Sequence, residues 1–243
     1  MREKIVAGNV YHVLNRGVDK RKIFMDDRDY FRFVHNLFEF NDLEPPNNNT
    51  YYFNRQKQSM DIARPYIAGE RKPRKLLVEI LAFCLMPNHY HLLIKPKSDD
   101  GITKFIKKLN MGYAKYFNER YKRSGALFQG RYKLIPVTEE SHFIHLPYYI
   151  HLNPLDLVMP EWRNYGRNNY GLAKTIDWKG AGKFLEKYRW SSYLDYIGKR
   201  NFPSVTQREF LTEFFGGPEQ YKKDTIKWLK EMDLEEIKNI TLE

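Results

Sequence analysis

A single cysteine, Cys84, stands in a chain of 243 residues, which excludes an intrachain disulfide and fits a reducing compartment such as the cytosol. It lies in the apolar run from Ile80 to Met86, where a buried structural thiol is the ordinary role. Long hydrophobic runs are missing too. Nowhere do the roughly 18 consecutive apolar residues of a membrane-crossing helix occur, and Met1-Arg-Glu-Lys-Ile-Val lacks the apolar core of a signal peptide. No membrane partner is therefore expected. Acidic residues are scarce relative to basic ones: 30 Asp plus Glu face 41 Lys plus Arg, giving a formal charge of +11 and a pI of about 9.4. That balance favours an anionic partner such as nucleic acid and says nothing about fold. What is present is apolar enough, at 42%, to exclude a disordered chain.

The length suits one main domain with an appended C-terminal segment. Val10 to Arg16 reads as a first strand, closed by Arg16-Gly17. Asp26-Asp27 offers helix caps, and Tyr30, Phe33, Val34, Leu37 and Phe38 follow at the spacing of one helical face. Pro45-Pro46-Asn47-Asn48-Asn49 is expected to end that helix and to open a long loop or small insertion reaching residue 74. Leu76 to Met86 and His89 to Lys95 form two strands around a Pro87-Asn88 turn. The helical period returns from Gly101 to Tyr121, Arg131 to Val137 is a fourth strand, and Thr138-Glu139-Glu140 begins a further helix. The order β-α-β-β-α-β, then an extra helix, indicates an α+β fold: an antiparallel sheet with helices on one face. No internal repeat stands out. A last helical region is expected within Thr206 to Leu242.

Two local patterns carry chemistry. In His89-Tyr90-His91 the strand alternation puts both imidazoles on one face and Tyr90, Leu92 and Ile94 on the other. Two residues along a strand span roughly 6–7 Å, from which two imidazoles can converge on one ion. Alone, the pair is more often two surface histidines on an exposed sheet face. In Tyr149-Ile150-His151-Leu152-Asn153 a phenol and a carboxamide stand four residues apart, on one face of a helix. A phenol can attack phosphorus and remain as a covalent ester if its developing charge is stabilised, and Asn153 could serve as a metal ligand through its side-chain oxygen. Alone, that pattern is ordinary helix surface. About 40° on the helical wheel separates Tyr149 from Asn153, against about 140° for Tyr148, so Tyr149 is the candidate and Tyr148 faces packing. Because a proline is harmless in a first turn, the helix is expected to start afresh at Pro147.

His89-Tyr90-His91, preceded by Met86-Pro87-Asn88, resembles the histidine–hydrophobic–histidine motif of single-tyrosine transposases. More closely, the chain is similar to the REP-associated tyrosine transposases and their insertion-sequence relatives. The pattern is carried by Tyr11-His12-Val13 with Asn15-Arg16-Gly17, Ile23-Phe24 with Asp26-Asp27, Met86 to Leu93, Gly125-Ala126-Leu127-Phe128-Gln129-Gly130-Arg131-Tyr132-Lys133, Tyr149 to Pro154, and Arg189-Trp190-Ser191-Ser192-Tyr193, in the family's order. The resemblance implies a ferredoxin-like sheet, an extra helix bearing the nucleophile and a C-terminal helical extension, divided as residues 1–158 (with an insertion at about 45–74) and 159–243. It implies cleavage and rejoining of single-stranded, hairpin-associated DNA through a 5′-phosphotyrosine link, in transposition or in processing of repeated palindromes. Carried over, Tyr149 is the nucleophile, His89 and His91 bind Mg²⁺ or Mn²⁺, and Asn153 completes the site. Insertion-sequence members often carry Gln there, which puts the chain nearer the REP-associated branch. A cytoplasmic, nucleoid-associated location follows, with a monomer or a homodimer equally compatible.

The basic surface supports a DNA partner. Lys104, Lys107, Lys108 and Lys115 project from the second long helix, and Arg16, Arg131 and Lys133 flank the strands; neutralising phosphates is their functional reading, a solvated face the bland one. Tyr51, Tyr52 and Phe53 beside Arg55 and Lys57 could stack on unpaired bases. Two rivals stand beside the transposase reading. One is a domesticated regulator that binds DNA on the same fold without cutting it. The other is a metal-dependent phosphohydrolase that works through water and needs no tyrosine.

Overall fold

The computed structural model describes residues 4–44, 51–54, 56, 59–62, 74–164 and 177–231. Its centre is a four-stranded antiparallel sheet of β1 (Val10–Arg16), β4 (Val78–Met86), β5 (His89–Pro96) and β6 (Lys133–Val137), in the order β4-β5-β1-β6. With α1 (Asp27–Glu39) between the first two of these strands and α2 (Gly101–Arg120) between the last two, this is the ferredoxin-like arrangement. The expectation of an antiparallel α+β sheet with this element order holds.

Strand alternation divides the sheet into two faces. Tyr11 and Val13 of β1, Ile80, Phe83 and Leu85 of β4, and Tyr90, Leu92 and Ile94 of β5 pack against α1 and α2 through Phe33, Leu37, Phe105, Leu109 and Tyr113. The opposite face carries Cys84, Met86 and Leu93. It is covered by α3 (Glu140–Leu152) and by helices of the C-terminal extension: α4 (Trp178–Leu185), α5 (Tyr193–Tyr196), α6 (Glu209–Phe214) and α7 (Pro218–Glu231). Helices thus lie on both faces. The first pair fills one side, and the extra helix with the extension fills the other.

Two local expectations are corrected, and the expected insertion is given its content. Helix α1 ends at Glu39, well before Pro45, because the Asn41 carboxamide binds the start of β4: its Oδ1 accepts from Leu77 N (3.1 Å) and Val78 N (3.0 Å), and its Nδ2 donates to Val78 O (2.8 Å). The insertion contains an antiparallel pair, β2 (Tyr51–Asn54) and β3 (Ser59–Ile62). The side chains of Tyr51, Tyr52 and Phe53, and residues Arg55 and Lys57, lie outside the described residues, as does chain 232–242 of the expected last helical region. Finally, α3 runs unbroken through Pro147. A proline inside a helix removes one backbone bond, but Leu146, Tyr148, Tyr149, Ile150 and Leu152 around it are all buried, and tertiary packing of this kind overrides propensity.

The two face-one helices are tied at one end by a charged knot. Asp26 caps α1, accepting from Arg28 N and Asp29 N, and Arg120 at the end of α2 grips Asp26 at 2.5 Å and Asp29 at 2.6 Å; that guanidinium holds the Asp26 carboxyl below its usual range. Asp29 is fully buried and also accepts from Met25 N, Tyr116 Oη and Tyr121 Oη. Asp29→Ala should therefore cost about 3 kcal/mol, the low end for a broken buried pair because Arg120 stays partly in water. Urea unfolding checks this; a loss below about 1 kcal/mol, the scale of a surface pair, would show that the knot is solvent-screened.

Candidate active site

The second face of the sheet brings the chemistry-bearing residues together through register. Residues directly opposite in an antiparallel pair share a face. Arg16 stands opposite His89, Leu14 opposite His91 and His12 opposite Leu93, while on the other side of β1 Lys133 stands opposite Leu14. The side chains of His12, Arg16, His89, His91 and Lys133 therefore project from one face, the one that α3 covers.

The three histidines form a contiguous row. His89 and His91 have ring centroids 4.9 Å apart at 80°. His12 Nε2 lies 2.9 Å from His91 Nδ1, with the rings stacked at 5.1 Å. One ring donates and the other accepts. If His91 turns its Nε2 to an ion, its Nδ1–H is the donor and His12 fixes that tautomer. His89 Nδ1 pairs with Asn88 Oδ1 at 2.6 Å, so the turn residue orients that ring. His12 and His91 are fully buried, and His89 is half-buried.

Helix α3 supplies the phenol. Tyr149 stands edge-on to His91, with centroids 6.0 Å apart at 88°, and to His12 at 6.4 Å. Its neighbour Tyr148 turns away into an aromatic stack with Tyr221 (4.8 Å, 15°), Phe215 and Trp228. Two residues further along α3, His151 is buried between Tyr221 Oη (2.7 Å) and Ser192 Oγ (2.8 Å), and desolvation pushes its pKa down to about 3. It is a neutral bolt between α3 and the extension. The Trp190-Ser191-Ser192 segment in turn pairs with the outer strand: Leu85 N donates to Trp190 O and Ser192 N to Phe83 O. This covers an edge that would otherwise expose its backbone.

Asn153 is fully buried at the end of α3. Its Nδ2 donates to Tyr149 O (2.8 Å), and its Oδ1 accepts from Arg163 Nη2 (2.9 Å). Arg163 lies in the 3₁₀ segment Pro160–Asn164 and also donates from Nη1 to the Tyr149 hydroxyl at 2.9 Å. Among the described residues no cluster of three or more His, Cys, Asp or Glu side chains is arranged as a ready metal cage.

The cations expected to meet DNA divide between the faces. Arg16, Arg131 and Lys133, with Leu14, Asn15 and Gln129, line a hollow of about 230 Å³ beside the histidine row. Lys104, Lys107, Lys108 and Lys115 belong to α2, on the other side of the sheet. Lys104 pairs with Asp100 at 2.6 Å. Lys108 donates to Asp42 O and Glu44 O, and its partial burial lowers its pKa, so it holds the chain after α1 in place. Sequence reasoning missed two site residues. His12 was legible only as part of a motif, since nothing local says which strand pairs with β5. Arg163 carries no sequence signal, lying ten residues beyond Asn153 in a segment without periodicity.

The chain carries a ferredoxin-like sheet with a histidine pair on a central strand and a helix-borne tyrosine over it. Residues 57–153 match the family described as "Transposase IS200 like", a stretch that includes His89, His91, Tyr149 and Asn153, so the resemblance to this transposase family holds over that stretch. No curated protein matches the chain. A solved structure described as a REP-associated tyrosine transposase bound to a REP hairpin aligns with a TM-score of 0.46 and 12% identity, over 84% of this chain and 88% of that one. No helix of the described residues is long and apolar enough to cross a membrane.

The division of cations generates a test with single-stranded DNA. Replacing Arg16, Arg131 and Lys133 together by Ala should make the salt dependence of binding shallower by about 2, at roughly 0.7 for each phosphate no longer neutralised. Replacing Lys104 and Lys108 should leave the slope nearly unchanged. The reverse pattern in a fluorescence-anisotropy titration would move the DNA to the α2 side.

Proposed function

We propose that this chain is a metal-dependent transposase or endonuclease that cleaves and rejoins single-stranded, hairpin-associated DNA with Tyr149 as nucleophile. The observation that carries this reading is the meeting of the Tyr149 phenol with the His91 ring at 6.0 Å, edge to face, inside a stretch that matches a transposase family. A water-using phosphohydrolase has no need of a phenol held there.

The donor set fits a divalent ion. His89 and His91 offer two imidazoles from one strand face, suited to a transition metal such as Mn²⁺, and a carboxamide oxygen is a ligand for Mg²⁺ or Mn²⁺ alike. Asn153 Oδ1 has two lone pairs, one already taken by Arg163, so it can complete the set with the second. A bound ion would polarise the scissile phosphate and neutralise charge on its oxygens.

The chain's own residues account for the rest. His12 and Asn88 orient the two imidazoles. Arg16, Arg131 and Lys133 hold flanking phosphates beside the row. The Tyr149 oxygen attacks phosphorus, the new O–P bond replaces the bond to the 3′-oxygen, and a 5′-phosphotyrosine forms. The phenol proton passes to water and the leaving 3′-oxygen takes one up. Attack of a 3′-hydroxyl on that ester reverses the exchange and rejoins a strand.

Incubation with hairpin-bearing single-stranded oligonucleotides and Mn²⁺, followed by a denaturing gel, tests the reading. Wild type and Tyr148→Phe should form a covalent adduct, whereas Tyr149→Phe should lose it while retaining DNA and Mn²⁺ binding. An adduct that survives Tyr149→Phe, or maps to Tyr148, would sink the assignment. In calorimetric titrations His89→Ala and His91→Ala should each weaken Mn²⁺ binding at least tenfold, the scale on which ligand-shell changes act. Wild-type affinity in the double variant would remove the metal from the histidine row.

A further inference from the structure

Tyr149 is fully buried, yet its hydroxyl is held by a cation that reaches solvent. Arg163 spreads its guanidinium over three acceptors. Nη1 donates to Tyr149 Oη at 2.9 Å, Nη2 donates to Asn153 Oδ1 at 2.9 Å, and Nε and Nη2 clasp Asp156 Oδ1 and Oδ2 at 2.7 and 2.6 Å. The group also lies over the Tyr149 ring at 5.3 Å and the Trp162 ring at 4.9 Å. Trp162 Nε1 donates to Asp156 Oδ1 at 2.6 Å, which fixes the carboxylate from the other side. The Arg163 side chain keeps 23% of its surface exposed.

This is more than a surface ion pair. A bidentate arginine–carboxylate pair has a fixed planar geometry, and here the remaining Nη1/Nη2 edge points at Tyr149 of α3 and at Asn153 just after it. The segment that bears Arg163 is anchored to that helix by Trp162, which is buried beside the Tyr149 ring with centroids 6.3 Å apart. The phenol is also the kind of oxygen that such a fork serves. When phosphorus bonds to it, the non-bridging oxygens stand one bond beyond, within the span of the same guanidinium.

We propose that Arg163 is a catalytic residue, resting on the reading of Tyr149 as nucleophile: its guanidinium holds the phenol oxygen and the Asn153 carboxamide in one fork, then meets the anionic phosphate as it arrives. Asp156 and Trp162 are positioning residues that set the fork. The step adds no bond and moves no proton to Arg163; it places positive charge where negative charge develops, the arrangement that contributes most to such reactions. Lysine replaces it only in part, because a single ammonium supplies the charge but lacks the planar fork that spans two acceptors.

The test uses the full-length chain, Mn²⁺ and a hairpin-bearing oligonucleotide. Arg163→Ala should slow adduct formation by about a hundredfold, the scale of losing one oxyanion donor, with DNA affinity changed less than threefold. Arg163→Lys should fall between Arg163→Ala and wild type. Added guanidinium ion, well below denaturing concentration, should restore part of the Arg163→Ala rate and none of the Tyr149→Phe rate, a rescue that a merely structural role would not give. A second readout is independent of cleavage: the Tyr149 ring carbon bonded to the hydroxyl, observed by ¹³C NMR and assigned through Tyr149→Phe, should shift on Arg163→Lys. Wild-type adduct rates in Arg163→Ala, or no rescue by guanidinium, would overturn the catalytic role, and an unmoved carbon resonance would overturn the contact. A wild-type chain that forms no adduct would sink the nuclease reading alone, leaving the carbon shift to decide the fork.

Discussion

The register of β1 against β5 is the constraint on which the candidate site depends. With Leu14 opposite His91 and Arg16 opposite His89, His12 falls diagonally beside His91 on the same face, close enough for the 2.9 Å ring contact. A slip of one residue would send His12 and Arg16 to the α1–α2 side and bring Tyr11 and Val13 under α3. The slip is blocked because Tyr11, Val13, Tyr90 and Leu92 are all needed by the core beneath α1 and α2. The apolar half of each strand thus fixes where the polar half points, and burial on one face holds the chemistry on the other.

The opposite face gains its precision from the C-terminal extension. Helix α3 contains a proline, and five of its residues, Leu146, Tyr148, Tyr149, Ile150 and Leu152, join the same apolar cluster as Tyr193, Tyr196, Leu211 and Tyr221. Tyr148 in its stack and neutral His151 between Tyr221 and Ser192 set the rotation of the helix. Tyr149, one residue from the first and two from the second, is turned to His12 and His91 on one side and to Trp162 on the other. The extension also supplies Arg163, so the helix and its polar partners are positioned by the same layer.

Charge is arranged by position rather than by count. The net +11 includes cations already committed to the fold, such as Arg120 in its carboxylate knot and Lys108 on two backbone carbonyls. Arg16, Arg131 and Lys133 line a hollow next to the histidine row. A polyanion laid there would lie on the face that bears the histidine row, whereas one laid along α2 would lie on the other side of the sheet.

Much of this was legible in the sequence because it depends on short periods. A period of two put His89 and His91 on one face, a period of 3.6 set Tyr149 apart from Tyr148, and the order of strand-like and helix-like segments gave the α+β sheet. The end of α1 at Glu39, the strand pair inside the insertion and the unbroken passage through Pro147 were not legible. Each follows from a contact between distant segments: Asn41 with the start of β4, one strand with another, a buried helix with its surroundings. The partnerships of His12 with His91 across 79 residues, and of Arg163 with Tyr149 and Asn153, belong to the same kind. Local sequence fixes which face a side chain takes on its own element. Only the packed structure decides which other element that face meets, because strand pairing and layer order are set by burying the whole apolar surface at once.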